Sequence, residues 1–240
     1  MIEKHFESKR LIFKPFKELN EEEKKVVGDS WANPFNARYN SMRDPYKSVE
    51  EMCGWDEPTE WGNWYRVAFL KNTSEIVGTC RFGKYHDSEN FDIWDFGFNV
   101  VLKHWFNGYG AEMVAKIIGL AKDNGAKTMI GGADIENFGS YKAMVRNGFK
   151  FCGYDDDGDY RYTLDLTSDK VATKEEIERT WVEHLMRAEM DFGKEKFARL
   201  NDINLKIAEM VKRIQQGEDE GNLVKEYFNK LNEIEEFKFS

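Results

Sequence analysis

Across residues 92–121 the hydrophobic period of the chain switches from that of a strand to that of a helix, and the switch falls inside one short run, HWFNGYGAEM (104–113). Upstream, DIWDFGFNV (92–100) alternates as a strand does. Downstream, Met113, Ile117, Leu120 and Ala121, flanked by Val114 and Ile118, recur at helical spacing. A strand is therefore expected to feed a Gly-x-Gly turn that opens directly into an amphipathic helix. Such a turn binds anions: the first N–H groups of a helix lack intrahelical partners, carry the positive end of its dipole, and Gly108 and Gly110 let a ligand approach the main chain closely. A pyrophosphate suits it. A dinucleotide fingerprint would need glycine where Met113 stands, and a P-loop would need Gly-Lys followed by Ser or Thr, so neither holds the ligand here.

The rest of the first two thirds of the chain reads as an α/β sheet. RLIFKPF (10–16) alternates like a strand, and Asn20 followed by Glu21, Glu22 and Glu23 predicts a helix start. Residues 31–64, rich in Asn, Pro, Gly and aromatics, predict short helices and loops that wall a substrate site rather than a linker. WYRVAFL (64–70) and EIVGTCRFGKY (75–85) are strands joined by a polar turn of hairpin length. Gly125 stops the helix after Asn124, AKTMIGGAD (126–134) is a short buried strand, residues 137–147 form a second helix stopped by Gly148, and FKFCGY with YRYTLDL (160–166) makes a final hairpin. The order predicts a mixed, mostly antiparallel sheet with a parallel pair at its centre, flanked by helices.

Three segments, FDIWDFGFNVV (91–101), the 104–113 run and ADIENFGSYKAMVRNGFKFCGY (133–154), together resemble the GNAT superfamily of acyl-coenzyme A dependent N-acetyltransferases. The likeness is nearest to the RimJ/RimL branch, which acetylates protein N-termini, aminoglycosides and other small amines. There the loop reads approximately W-G-K-G-Y-A-T-E-A; Trp105, Gly108, Tyr109 and Glu112 stand in register, with Gly110 at the small-residue position, while Phe106 replaces a usual glycine. SKRLIFKPF (8–16) is similar to the branch's E-R-L-x-L-R-P opening, so the likeness runs from about Ser8 to Leu166. It implies the GNAT fold, in which two central strands splay beside a bulge and the pantetheine arm of acetyl-CoA slots between them. The main chain of Phe98, Asn99 and Val100 would then pair with pantetheine, the amides of Trp105, Phe106, Asn107, Gly108, Tyr109 and Gly110 would hold the pyrophosphate, and Asn137 would contact pantetheine.

Acetyl transfer to an amine needs a proton acceptor, because a lysine-like amine is overwhelmingly protonated at neutral pH. Asp95 stands where family members often carry a catalytic or substrate-anchoring Glu, and strand alternation puts it on a face with Ile93 and Gly97, an apolar setting that favours basicity. A solvated strand carboxylate is the plainer account. The superfamily's usual acid, a Tyr, falls at Met144, which cannot donate a proton. Ser140, three residues after Asn137, fits the branch's N-x-x-S and is the expected donor to the departing thiolate. Ser140 and Asn137 are also ordinary helix-capping residues. The acidic run Asp155, Asp156, Asp157 and Asp159 reads first as a solvated turn and second as an attraction for a cationic amine.

A net charge of −9 disfavours nucleic acid as a partner, no apolar run is long enough for a bilayer, and the opening residues lack a secretory signal's apolar middle, which predicts a cytoplasmic protein. Three cysteines (Cys53, Cys80, Cys152) at no ligand or disulfide spacing and four scattered histidines (His5, His86, His104, His184) predict no metal site. The catalytic domain is expected over residues 1–168. Residues 169–240 form a helical extension: a long helix with Trp181, Leu185 and Met186, then a hairpin whose seam is Ile203, Ile207, Met210 and Ile214 against Leu223, Tyr227, Leu231 and Ile234. Too small to own a core, the extension must dock, on its own catalytic domain first and on a second copy, as a homodimer, next. The expected activity is direct acetyl transfer from acetyl-CoA to a small amine or a protein N-terminus. The alternative is an acyl-CoA-binding module without turnover that acts through the C-terminal helices.

Overall fold

In the computed structural model, which describes residues 2–39, 43–85, 92–232 and 234, the alternating runs become strands of one eight-stranded sheet. They are β1 (Phe6–Glu7), β2 (Leu11–Pro15), β3 (Asn63–Leu70), β4 (Ile76–Lys84), β5 (Ile93–Val100), β6 (Thr128–Ala133), β7 (Lys150–Tyr154) and β8 (Tyr160–Asp165), in spatial order β1-β2-β3-β4-β5-β6-β8-β7. The pair β5–β6 is parallel and every other pair is antiparallel. Phe91 and His86 lie outside the described residues.

The helices begin where their caps allow. Asn20 and Glu23 close a capping box on α1 (Glu21–Ala32), which outlasts the expected start and covers one sheet face with α2 (Pro34–Ala37) and α3 (Pro45–Gly54). On that face Val27, Trp31 and Val49 pack against Val67, Phe69 and Ile76. The opposite face is covered by α4 (Tyr109–Asp123) and α5 (Phe138–Arg146), whose Met113, Val114, Ile117, Tyr141, Met144 and Val145 meet Phe82, Trp94, Phe96 and Met129. Alternation along β5 assigns its side chains: Trp94 and Phe96 enter this second core, whereas Asp95, Gly97 and Asn99 point to the first face.

The extension forms α6 (Lys174–Phe192), α7 (Lys194–Gln215) and α8 (Glu220–Leu231) and docks on its own chain. The seam of Leu200, Ile203, Ile207, Met210, Leu223, Tyr227 and Leu231 is one apolar cluster with Phe35, Leu102 and Phe138 of the sheet domain. α6 buries His184 completely, among the rings of Tyr141, Tyr160, Tyr162 and Trp181. Its Nδ1 meets the Tyr162 hydroxyl at 2.9 Å, and among the described residues its Nε2 has no hydrogen-bond partner. Among the described residues, no helix is long and apolar enough to cross a membrane.

Candidate active site

β5 and β6 run together only from Ile93–Thr128 to Asp95–Ile130 and then part, while β5 stays paired with β4 to Val100 and β6 with β8 to Ala133. A slot therefore opens between Phe96–Val100 and Gly131–Ala133. The bulge implied beside it is not in β5: register is unbroken from Gly78–Val100 to Lys84–Trp94, and the sheet's shifts lie at Ala68/Phe69 and Phe151/Gly153. Which backbone groups face the slot follows from hydrogen bonds that bracket the strand. Tyr85 donates to the Ile93 carbonyl at 2.9 Å and Val101 to the Val77 carbonyl at 2.8 Å, so odd-numbered residues of β5 pair with β4. Phe98 and Val100 thus turn their main chain to the slot, and Asn99 does not, which corrects the expectation for Asn99. The Val100 carbonyl is already used, accepting from the Trp105 indole at 2.8 Å and the Asn36 amide at 3.3 Å. The Phe98 groups and the Val100 N–H remain.

At the open end of the slot a 3₁₀ turn (Leu102–His104) leads through Trp105, Phe106 and Asn107 to Gly108, which caps α4 in the left-handed conformation, φ 77°. Among the described residues no side chain caps this helix, and the amides from Phe106 to Ala111 donate to no protein acceptor. An unsatisfied row of N–H groups at a helix start is an oxyanion cradle. The Trp105 N–H is not part of it, because it donates to the Leu102 carbonyl at 3.0 Å. Gly110 is small because a Cβ there would lie 2.8 Å from the Phe98 ring, so helix and slot strand touch at that point. Phe106 holds φ 63°, the left-handed conformation that explains the usual glycine, with its ring largely in solvent.

Two guanidiniums flank the cradle, and the sequence had singled out neither. A Cβ on Gly108 would sit 3.8 Å from Arg10 Nη2 and 3.9 Å from Arg146 Nη1. Arg10 is fixed: it donates to Glu112 at 2.6 Å and to the Asn107 carbonyl at 3.0 Å and lies 4.1 Å over the Tyr109 ring. Burial alone would raise the Glu112 carboxyl, but hydrogen bonds from Ser8 and from the amide and guanidinium of Arg10 hold it below its ordinary value. Arg146, in the last turn of α5, is exposed and joins no ion pair among the described residues.

The expected chemical groups lie on the two sides of the slot. Asp95 sits at the parting point, but its surroundings are not apolar: both oxygens take the Arg81 fork, at 2.9 and 2.8 Å. Arg81 comes from the adjacent strand and could not be paired with Asp95 from sequence spacing. Asn137 is the N-cap of α5, accepting from the Ser140 amide at 3.1 Å, so Ser140 does not cap and its hydroxyl has no partner among the described residues. Tyr141 is excluded as the acid. It is fully buried, its hydroxyl donates to the Ala133 carbonyl, and burial pushes its pKa far up. Met144 is buried with Phe96 over Gly131. Asp134, at the end of β6, had not been singled out. Partial desolvation by its neighbours raises its carboxyl above the ordinary value, although the residue is solvent-exposed and accepts a hydrogen bond from the Glu136 amide at 2.8 Å.

On the open sheet face at the parting point lies a groove of about 310 Å³ lined by Ile130, Cys152, Tyr154, Asp155, Asp156 and Arg161. Asp155 ties the hairpin turn, accepting from the amides of Asp157 and Asp159 at 3.1 and 2.8 Å, and pairs with Arg161 at 3.3 Å. The acidic run therefore builds its own turn and still presents Asp156 to the groove. Among the described residues, no grouping of three or more His, Cys, Asp or Glu could hold a metal ion.

The acetyltransferase (GNAT) domain profile matches residues 10–150, the span from the cradle's Arg10 to the strand after α5. The chain belongs to the GNAT acetyltransferase family. A GNAT-family acetyltransferase from Bacillus anthracis is similar in structure at 16% identity and TM-score 0.56, over 68% of this chain and 99% of that one. An acetyltransferase from Agrobacterium tumefaciens gives 19% and 0.54, over 68% and 95%. A protein from Vibrio cholerae, provisionally named a ribosomal-protein-serine acetyltransferase, gives 14% and 0.52, over 67% and 97%. At these identities the likeness is one of fold. No curated protein sequence matches the chain.

GNAT enzymes take their acyl group from acetyl-CoA, and the residues here fit that donor. The amides at the start of α4, with Arg10 and Arg146 beside them, complement a pyrophosphate; the free main-chain groups of Phe98 and Val100 complement amides lying in the slot.

Proposed function

We propose that the chain transfers the acetyl group of acetyl-CoA directly to a primary amine, with a RimJ/RimL-like preference for small cationic amines or a protein N-terminus. The parting of β5 and β6 beside an uncapped α4 carries this reading, since it exposes main-chain donors and acceptors along a path that ends at Asp95. The acceptor enters by the groove on the open face, whose Asp156 and Tyr154 suit an amine. The neutral amine's nitrogen attacks the thioester carbonyl, the C–N bond forms as the C–S bond breaks, the proton then shed by nitrogen leaves through water to Asp95, and the sulfur departs as the thiolate with a hydrogen bond from the Ser140 hydroxyl, taking its proton from solvent. The likeness of fold to the Vibrio cholerae protein and the N-x-x-S pattern at Asn137 and Ser140 support the branch.

The test is thiol release from acetyl-CoA across polyamines, aminoglycosides and N-terminal peptides. Turnover with at least one class is expected. Asp95→Asn and Ser140→Ala should each lower kcat by roughly ten- to 150-fold, the worth of one hydrogen bond to a charged group. Asp134→Asn is the comparison variant, since its raised carboxyl makes it the rival proton acceptor. A loss confined to Asp134→Asn would move the base to that residue. Binding of acetyl-CoA without release of thiol from any acceptor would favour a module without turnover.

A further inference from the structure

We infer that the C-terminal extension is part of the cofactor site, and that Gln215, the last residue of α7, is the positioning residue through which it shapes the pyrophosphate cradle. The inference rests on the cofactor reading proposed above.

The Gln215 carboxamide nitrogen donates to two carbonyls of the loop, Lys103 and Trp105, each at 3.0 Å. A trans peptide is planar, with its C=O and the following N–H pointing in opposite directions. Holding the Trp105 carbonyl toward α7 therefore aims the Phe106 N–H away from α7, where it joins the amides that donate to no protein acceptor among the described residues. The next residue needs this support. Phe106 keeps a left-handed backbone that costs a non-glycine residue free energy, and such conformations persist only where surrounding contacts over-determine them. Four contacts supply that support. Trp105 is tied inward to the Val100 carbonyl, its ring packs against the extension's apolar cluster, and the Asn107 amide reaches the His104 and Trp105 carbonyls at 3.4 and 3.3 Å. Gln215 supplies the outer tie. The domain profile ends at residue 150, so this tie is a feature that the chain adds from outside the matched domain.

Gln215 is solvent-exposed, so Gln215→Met, which keeps length and removes the donor, leaves the apolar seam intact. Calorimetric titration of the full chain with CoA should show about tenfold weaker binding for Gln215→Met, equivalent to ~1.4 kcal/mol. Thermal midpoint should stay within a degree or two. Amide hydrogen exchange in residues 104–110, measured without CoA, should accelerate. Ile207→Val, which trims the seam by one methylene and keeps the Gln215 donor, should lower the thermal midpoint and change CoA affinity less than Gln215→Met does. Unaltered affinity together with unaltered exchange in Gln215→Met overturns the positioning role while wild-type binding still upholds the cofactor reading. A wild-type chain that binds no CoA overturns both.

Discussion

Gly108→Val should reduce CoA affinity by at least several hundredfold while the chain still folds. Gly108 has φ 77° and ψ 11°, a left-handed conformation that costs an L-residue ~1–2 kcal/mol, and more for a β-branched one. That strain alone should lower the thermal midpoint by about 2–8 °C at this chain length. The larger effect is on the ligand. The new Cβ would lie 3.8 Å from Arg10 Nη2 and 3.9 Å from Arg146 Nη1, so valine would fill the space between the two cations where a phosphate has to sit. It would also turn apolar surface toward amides that need an anion. Titration with CoA and a melting curve separate the two effects. Phe106→Gly is the opposite experiment: it relieves a left-handed backbone at a residue whose ring is mostly in solvent, and should raise stability by roughly 1 kcal/mol with binding retained. Gly108→Val binding CoA as tightly as wild type would remove the cradle from the cofactor site.

What could be seen in the sequence was whatever is encoded locally. The change of period at residues 104–113, the Asn20 and Asn137 caps and the stops at Gly125 and Gly148 each depend on neighbours a few residues away, and the strands and helices formed where those signals put them. The direction of the Asn99 backbone was not encoded in this way. Alternation fixes which face a side chain takes, but which edge the main chain addresses depends on the phase of pairing with β4, set by a hairpin partner elsewhere in the chain. The same limit explains Asp95. Its strand face was legible; the guanidinium waiting on that face came from β4, fourteen residues earlier. Arg146 and Gln215 reach the cradle from the ends of two helices, one of them in the extension, through tertiary docking that no local pattern announces. The β1 strand, two residues long, was too short to show a period at all.

His184 makes the docking of α6 sensitive to acid. Burial, the dominant influence, and the neighbouring Arg187 charge lower its pKa from 6.5 to about 4; the rings around it from other elements are those of Phe138, Tyr141, Tyr160 and Tyr162, and among the described residues no carboxylate pairs with it to stabilise an imidazolium. In the unfolded chain the imidazole binds its proton near 6.5; in the folded chain it stays neutral until about 4. Between those values the unfolded state holds more protons, so stability falls as pH drops below 6.5 and the loss levels off below about 4. Integrated over that window, the loss is roughly 3 kcal/mol, more than a hundredfold in the folding equilibrium. Other groups titrate in the same range, so the contribution of His184 is isolated by difference. His184→Phe keeps an aromatic ring in the cage, leaves the Tyr162 hydroxyl without its 2.9 Å partner, and should be less stable than wild type at pH 7. The two stability curves, from urea unfolding at half-unit steps, should converge as pH falls to 4.5. A constant gap between them would mean that the buried imidazole is not the group that titrates. Because His184 packs against the ring of Tyr141, the residue after Ser140, partial undocking of α6 should also loosen the start of α5, so that in wild type the acid loss of CoA binding precedes global unfolding and in His184→Phe it does not.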